Sequence, residues 1–478
     1  ARSLKTILLG SRRRTLLTVC CLLLAAAVLG GLAVLGGRAG GQAAANSASL
    51  DPNSDAHLLL KLSNANHRYE MGLENWRRLD YHRAEKDISA ALDEISAQKE
   101  QSETEVAVVN NSMGCLYLDM GQYEKAYEYL NGAYVTFRDN LGADSLPARA
   151  VQLSVAQYDF DTGDYESALR TTQEILDASG PETETAVVTA TGHIRAQVLE
   201  AEGRDDEAVA LYQKVLSQYS GIAADGKLSE SLADYANDPK LTQSEKEART
   251  NTVRWIARTY DQLGRAQMAG GDAAGARSSM EAGLELCLSN RDIKQRNLIT
   301  SGLYDGLALL DAGEGDFDSA RENIDLAMRI QQNLFDFDGA YPGLVTVYDD
   351  YGSILEQSGA PQEALDYYEQ ARTLAVNAFG ENYPQTAAAL HALGLYRLNA
   401  GDPAGALECF EEAITIRKNI LGSVHSTTAQ YELSRARALI ALGRTQEARE
   451  ELEQAAKLCR KLGIGGQLPA EIDALLRG

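Results

Sequence analysis

Nine alanines set the frame of this chain: Ala84, Ala126, Ala168, Ala208, Ala276, Ala320, Ala364, Ala406 and Ala448. Neighbours are separated by 42, 42, 40, 68, 44, 44, 42 and 42 residues. Five residues before eight of them stands a glycine: Gly121, Gly163, Gly203, Gly271, Gly315, Gly359, Gly401 and Gly443. Before Ala84 the place is taken by Leu79. Self-similarity at a period of this size marks an array of stacked units.

A second landmark lies twelve residues before the alanine, where the side chain is small: Gly72, Gly114, Ala156, Ala196, Gly264, Gly352, Gly394 and Ala436. In the sixth unit the matching residue is read as Gly306, fourteen before Ala320, which predicts two extra residues in that unit's turn. Seven residues after the alanine come Ala91, Ala133, Ala327, Ala371, Ala413 or Ala455, with Ile175, Val215 and Gly283 in the other units. Apolar residues between these marks recur at spacings of three and four, as in Leu390, Leu393, Tyr396 and Leu398, then Leu407, Phe410, Ile414 and Ile416. That is helical periodicity on both sides of a glycine break. Glycine ends the first helix in the left-handed conformation, and Pro361 and Pro403 suit the first turn of the second. One such pair cannot bury its own apolar face, so neighbours must stack.

The segment ALHALGLYRLNAGDPAGALECFEEAI carries these marks in order. It resembles the tetratricopeptide repeat. The 42-residue period, with AFGENYPQTAAALHALG and NILGSVHSTTAQYELSRA, resembles the longer kinesin-light-chain variety. In that variety a Leu-Gly-x-x-His-Pro-like stretch links units. Here one such proline is present as Pro384, while Ser426 follows His425. The resemblance implies an all-α solenoid of helical hairpins, a right-handed superhelix of about nine repeats, over residues 56–460. It also implies that first helices line a concave groove for an extended peptide or a partner's helix. Transferred unit by unit, groove positions include Tyr69, Trp76, Asn111, His193, Arg258, Asp261, Arg265, Tyr304, Asp349, Glu356, His391 and Asn399. Arg254, Arg258, Asp261 and Arg265 share one helix face by their spacing. They are expected as a solvent-facing cationic stripe that clamps a ligand carboxylate or pairs with acidic neighbours.

The 68-residue gap contains a longer insert at 217–250. Residues 217–241 are polar, with a weak helix expected at 228–235 and a degenerate tenth unit as the alternative. Thr242 and Glu245 have capping-box spacing, and nothing but Gly264 interrupts a helix from there to Met268. The fifth unit should therefore have an unusually long first helix. Residues 461–478 are expected to cap the array: Gly463, Gly465 and Gly466 break the chain, and Pro469 opens a short amphipathic helix.

The first residues differ from the rest. Residues 1–14 form a basic flank with Arg2, Lys5, Arg12, Arg13 and Arg14, and residues 15–37 carry no charge. As a helix the latter span roughly 34 Å, enough to cross a hydrocarbon core of about 30 Å. They read as one transmembrane signal-anchor helix before the repeats, with residues 38–55 as a flexible linker. The flanking charges place the N-terminus in the cytoplasm and the repeats outside. The alternative is a cleaved signal peptide with secretion after a cut near Ala45. Beyond residue 50, 39 basic residues stand against 68 acidic ones, a net charge of −29. Such a field repels nucleic acid and anionic membrane surfaces, so no nucleic-acid partner is expected.

No catalytic constellation stands out, and the chain is not expected to be an enzyme. Its six histidines lack metal-ligand spacing, and no phosphate loop or nucleophile elbow is present. Asp336, Asp338 and Gly339 lack the spacing and closing Glu of a calcium loop. No metal or other cofactor is expected. Cys20 and Cys21 lie in the apolar run; Cys115, Cys287, Cys409 and Cys459 fall singly on different helices and read as buried free thiols. The leading function is a membrane-anchored scaffold that binds peptide or protein segments, as part of a membrane-protein complex. A sensor whose effector lies before Ala1 is the alternative.

Overall fold

The computed structural model describes residues 60, 62, 66–77, 80–98, 103–178, 185–219, 243–289, 298–334, 343–421 and 425–477. Nineteen helices and no strand occur among them. They form nine hairpins. Units one to three are α1 (His67–Arg77) with α2 (Tyr81–Ser96), α3 (Glu103–Asp119) with α4 (Tyr123–Leu141), and α5 (Leu146–Asp161) with α6 (Tyr165–Asp177). Units four to six are α7 (Thr185–Ala201) with α8 (Asp205–Gln218), α9 (Gln243–Ala269) with α10 (Ala273–Ser289), and α11 (Leu298–Glu314) with α12 (Phe317–Leu334). Units seven to nine are α13 (Leu344–Gln357) with α14 (Pro361–Phe379), α15 (Pro384–Asn399) with α16 (Pro403–Leu421), and α17 (Ser426–Ala441) with α18 (Thr445–Leu462). A last helix, α19 (Gln467–Arg477), follows.

The turn inside each hairpin is built by the repeat glycine. All eight have φ between 66° and 83°, a region that costs a Cβ-bearing residue steric strain. At Gly401 the N–H bonds Leu398 O, and the next N–H, of Asp402, bonds Arg397 O. This pair of bonds closes the first helix. The residue after the glycine then starts the second helix. Where it is aspartate, its carboxylate accepts from the backbone three residues on: Asp164 from Ser167, Asp272 from Gly275, Asp316 from Ser319 and Asp402 from Gly405. Asp80 does the same for Arg83 without a preceding glycine. Each such cap contributes about 1 kcal/mol.

Close helix contact explains the alanines. All nine are buried, with at most 1% exposure. The small residue twelve before each alanine receives the large residue four after it. A Cβ added to Gly72 would lie 2.4 Å from Ile88, and one on Gly114 or Gly394 would lie 2.6 Å from Leu130 or Phe410. The sixth unit obeys the same rule without extra residues. Ala308, twelve before Ala320, is fully buried, and the turn bonds Gly315 N to Ala312 O and Asp316 N to Asp311 O match those at Gly401. Gly306 instead faces the preceding unit, where a Cβ would lie 2.7 Å from Met280. The expected two-residue extension is therefore corrected.

The long first helix of unit five is present, 27 residues from Gln243 to Ala269. Thr242 and residues 220–241 lie outside the described residues, as do residues 1–59 and 335–342 with their anchor, linker and calcium-loop readings. At the far end α19 starts at Gln467, two residues before Pro469. Its Ile472 is fully buried in the cluster of the ninth unit, so the helix packs on the last hairpin. Among the described residues no helix is long and apolar enough to cross a membrane.

Successive first helices pack on one another along most of the array, while second helices pack chiefly on their own partner and the next first helix. The array thus curves toward its first-helix layer. The curve closes far enough for its ends to touch. The internal turns of units one to four lie against the ends of units seven to nine. The Tyr81 and Phe379 rings are 5.7 Å apart, and a Cβ on Gly121 would sit 3.2 Å from Pro384 and Ile420. Tyr165 Oη and Ser426 Oγ share a 2.6 Å hydrogen bond, and Gly465 N donates to Glu202 O.

Candidate functional site

The inner face is defined by the residue fifteen before each alanine: Tyr69, Asn111, Leu153, His193, Asp261, Asp305, Asp349, His391 and Leu433. The first helix presents this position toward the next unit. What the next unit offers one residue later in its own frame decides how the side chain is satisfied. Tyr69 Oη meets Ser112 Oγ at 2.6 Å. His193 Nδ1 pairs with Gln262 Oε1, and His391 Nε2 with Ser434 Oγ at 2.9 Å. These are stitches between units.

Both histidines are structural by this geometry. His193 is fully buried, packs on the Tyr212 and Trp255 rings and also meets Thr259 Oγ1. Burial, reinforced by the Arg258 charge, pushes its pKa down to about 3. His391 stacks on Tyr431 at 4.1 Å, and burial with the nearby Arg417 lowers its pKa to about 4. Both shifts favour the neutral imidazole, which keeps a single N–H, at neutral pH. Trp76 is also fully buried, its indole N–H donating to Asp119 at 2.6 Å. Tyr304 is half-buried, and Asn399 is exposed and donates to Glu356 at 2.9 Å.

Two of the three arginines of the stripe do not face solvent. Arg254 and Arg258 are 6% and 9% exposed. Arg265 donates to Asp261 and to Asp305, each at 3.1 Å, and to Gly302 O at 2.9 Å. The solvent-facing expectation is therefore corrected for Arg254 and Arg258, which are buried, while Arg265 stays partly exposed and pairs with Asp261, the acidic-neighbour alternative.

The charge left over is negative. Asp261, Asp305 and Asp350 gather on α9, α11 and α13 around Arg265, and Asp349 lies beside Asp350 on α13. Asp305 is 3% exposed, and burial raises its pKa against the pull of Arg265. Burial and the Asp305 charge together raise Asp350 well above the carboxylate range. Asp349 is raised to about 8 by burial alone. The stitch position that should serve Asp349 in unit eight is Ala392, which has no polar atom to offer. Asp349 Oδ1 and Asp305 Oδ1 are both buried without a hydrogen-bond partner, as are both amide atoms of Asn111. Asp305, Asp350 and Gln262 were not singled out from the sequence. Aligning the sixth unit on Ala308 would have exposed the first of them.

Among the described residues no group of three His, Cys, Asp or Glu side chains is arranged to hold a metal. Cys115, Cys287, Cys409 and Cys459 are buried free thiols.

These hairpins define a helical-repeat array of the kind that mediates contacts between proteins. Tetratricopeptide repeats are matched in part of the array: the family model matches residues 298–375, 343–419 and 385–461, and related models of the same repeat match 107–134 and 194–221. The chain is similar to a candidate kinesin light chain of Podosopora anserina with nearly identical TPR-like repeats, at 22% identity over 43% of this chain and 95% of that one, with a TM-score of 0.34. It is similar to BtubC of P. vanneervenii at 18% identity over 56% and 94% of the two chains, with a TM-score of 0.36. The apo quorum sensor NprR of B. thuringiensis shares 14% identity over 72% of this chain and 88% of its own, with a TM-score of 0.49. No curated protein matches the chain.

Proposed function

We propose that the first-helix layer is a receptor surface for an extended peptide or protein segment. One observation carries this reading: the array curves toward that layer and sets half-exposed Asp261, Arg265, Asp350 and Glu356 along it. Tetratricopeptide repeats generally mediate protein–protein interaction, and the surface has polar groups to orient a backbone. Binding of a peptide library to the full chain tests this. Selected peptides should compete with one another and lose affinity when Glu356 and Asp350 are replaced. A chain that selects no peptide and recovers no partner would overturn it.

We further propose that residues 15–37 anchor the array as a scaffold at a membrane, N-terminus inside. Their uncharged run and the basic residues before them support this. Protease added to intact cells should then remove the repeats. Protection in intact cells with digestion after lysis would reverse the topology. The sensor reading needs an effector domain upstream of the anchor, which the longer gene sequence would show.

A further inference from the structure

We propose that the inner face of units six and seven takes a cationic side chain, the lysine or arginine of an extended segment, against Asp349 and Asp350. This rests on the peptide-binding reading above and assigns the chemistry of one of its subsites.

Charge balance is the first observation. Three carboxylates, Asp261, Asp305 and Asp350, meet one guanidinium, that of Arg265, and Asp349 adds its charge to Asp350 from the same helix. Arg265 is already spent on Asp261, Asp305 and the Gly302 carbonyl. Arg258 lies at the other side, where its charge acts on His193 and Tyr219. The surrounding protein offers no relief, since acidic residues outnumber basic ones by 68 to 45.

Hydrogen bonding is the second, and it is independent of charge. Asp305 is 3% exposed and its Oδ1 has no partner. Asp349 Oδ1 is likewise buried and unpartnered, yet the residue as a whole is only half-buried, so part of it remains open to the inner face. A buried polar oxygen without a donor costs about 1–3 kcal/mol. At Tyr69, His193 and His391 the next unit supplies the polar partner. At unit eight the matching place in the frame is Ala392, which has no donor. A donor from outside the chain fits there. A guanidinium fork presents two parallel N–H groups to a carboxylate, and an ammonium presents three. Both would carry the charge that the four aspartates lack. An acidic or neutral side chain at this point would add repulsion or leave the oxygens unmet.

The test is a display library of twelve-residue peptides selected on the full chain, followed by a double-mutant cycle. Selected peptides should share a lysine or arginine. Exchanging that residue for glutamine should weaken binding at least tenfold on the native chain, and the same exchange should have little effect on Asp349→Asn. Asparagine matches the neutral acid in shape, so circular dichroism and hydrogen exchange should show an unchanged fold. Asp350→Asn should reproduce the loss in part. Selected peptides without a basic residue, or a glutamine exchange equally costly on both chains, would overturn the cationic subsite while leaving peptide binding intact. Failure to select any peptide would remove both.

Discussion

Units four and seven put different residues at the same place and solve the same problem with opposite outcomes. His193 in unit four sits between rings, with Gln262 and Thr259 on its two nitrogens. Asp349 in unit seven has a buried Oδ1 without a partner, and the matching place in unit eight is Ala392. One position is a finished joint between repeats; the other is an unmet acceptor. The repeat geometry alone therefore does not say which inner-face residues hold the array together and which remain for a ligand. The partner residue, one unit away, decides.

The largest expected effect separates these two roles by sign. His193→Ala should destabilise its neighbourhood by about 2–4 kcal/mol, through a cavity and lost bonds. Asp349→Leu should be neutral or stabilising, since it removes an unpaired buried group. Hydrogen exchange localised to α7 and α13 reads both, because coupling in such arrays runs between neighbours. Equal losses at the two sites would erase the distinction.

Next in size is pH dependence, where the two sites slope in opposite directions. The pKa of His193 is depressed when folded, so its contribution is intact above the ordinary histidine value near 6.5 and is lost as pH falls toward about 3. Asp349 has a raised folded pKa. Its folded state holds the proton more tightly, so its contribution is full below about pH 4 and is lost as pH rises toward about 8. Asp350 on the same helix, Tyr368 on α14 and Tyr431 on α17 lie within its field. Thermal midpoints from pH 4 to 9 should show Asp349→Asn flattening the alkaline side and His193→Gln the acid side. An unchanged alkaline limb in Asp349→Asn would show the carboxyl to be ordinary.

Two smaller changes sharpen the contrast. Asn111→Leu should stabilise unit two by about 1 kcal/mol, since both amide atoms are buried and unmet. Denaturant midpoints would show it, and a loss of stability would mean that the amide is bonded. Ala392→Ser should build the missing joint, adding up to about 1 kcal/mol and lowering the Asp349 pKa. A carboxyl titration unmoved by the new hydroxyl would mean that the two positions do not meet.

The fold was legible because its signals are local. Gly401 and Ala406 each report on their own hairpin, and the 27-residue helix of unit five follows from a run of residues without a break. The misplacement of Gly306 shows the limit. A glycine near the expected place outweighed Ala308, because small residues also occur where a helix meets the previous unit. The candidate site was less legible. Arg254, Arg258 and Arg265 align on one face by spacing, but spacing does not reveal that Asp305, forty residues beyond Arg265, reaches back to it. The histidines were visible as inner-face residues, yet their roles depend on Gln262 and Ser434, on other helices. Leu393 and Phe410 belong to a periodic pattern; the Tyr165–Ser426 bond does not.

That bond and its neighbours make the coil a closed spring rather than an open trough. With the turns of units one to four seated on the ends of units seven to nine, the inner face becomes the wall of a lumen. A segment with a free end can slide in along the axis. A loop fixed at both ends to a folded domain cannot reach the wall without parting Tyr165 from Ser426 and Gly465 from Glu202. If the inner face receives a segment as proposed, access is a matter of topology before chemistry: the coil would sort chain ends from chain middles, and separating its turns would admit the latter.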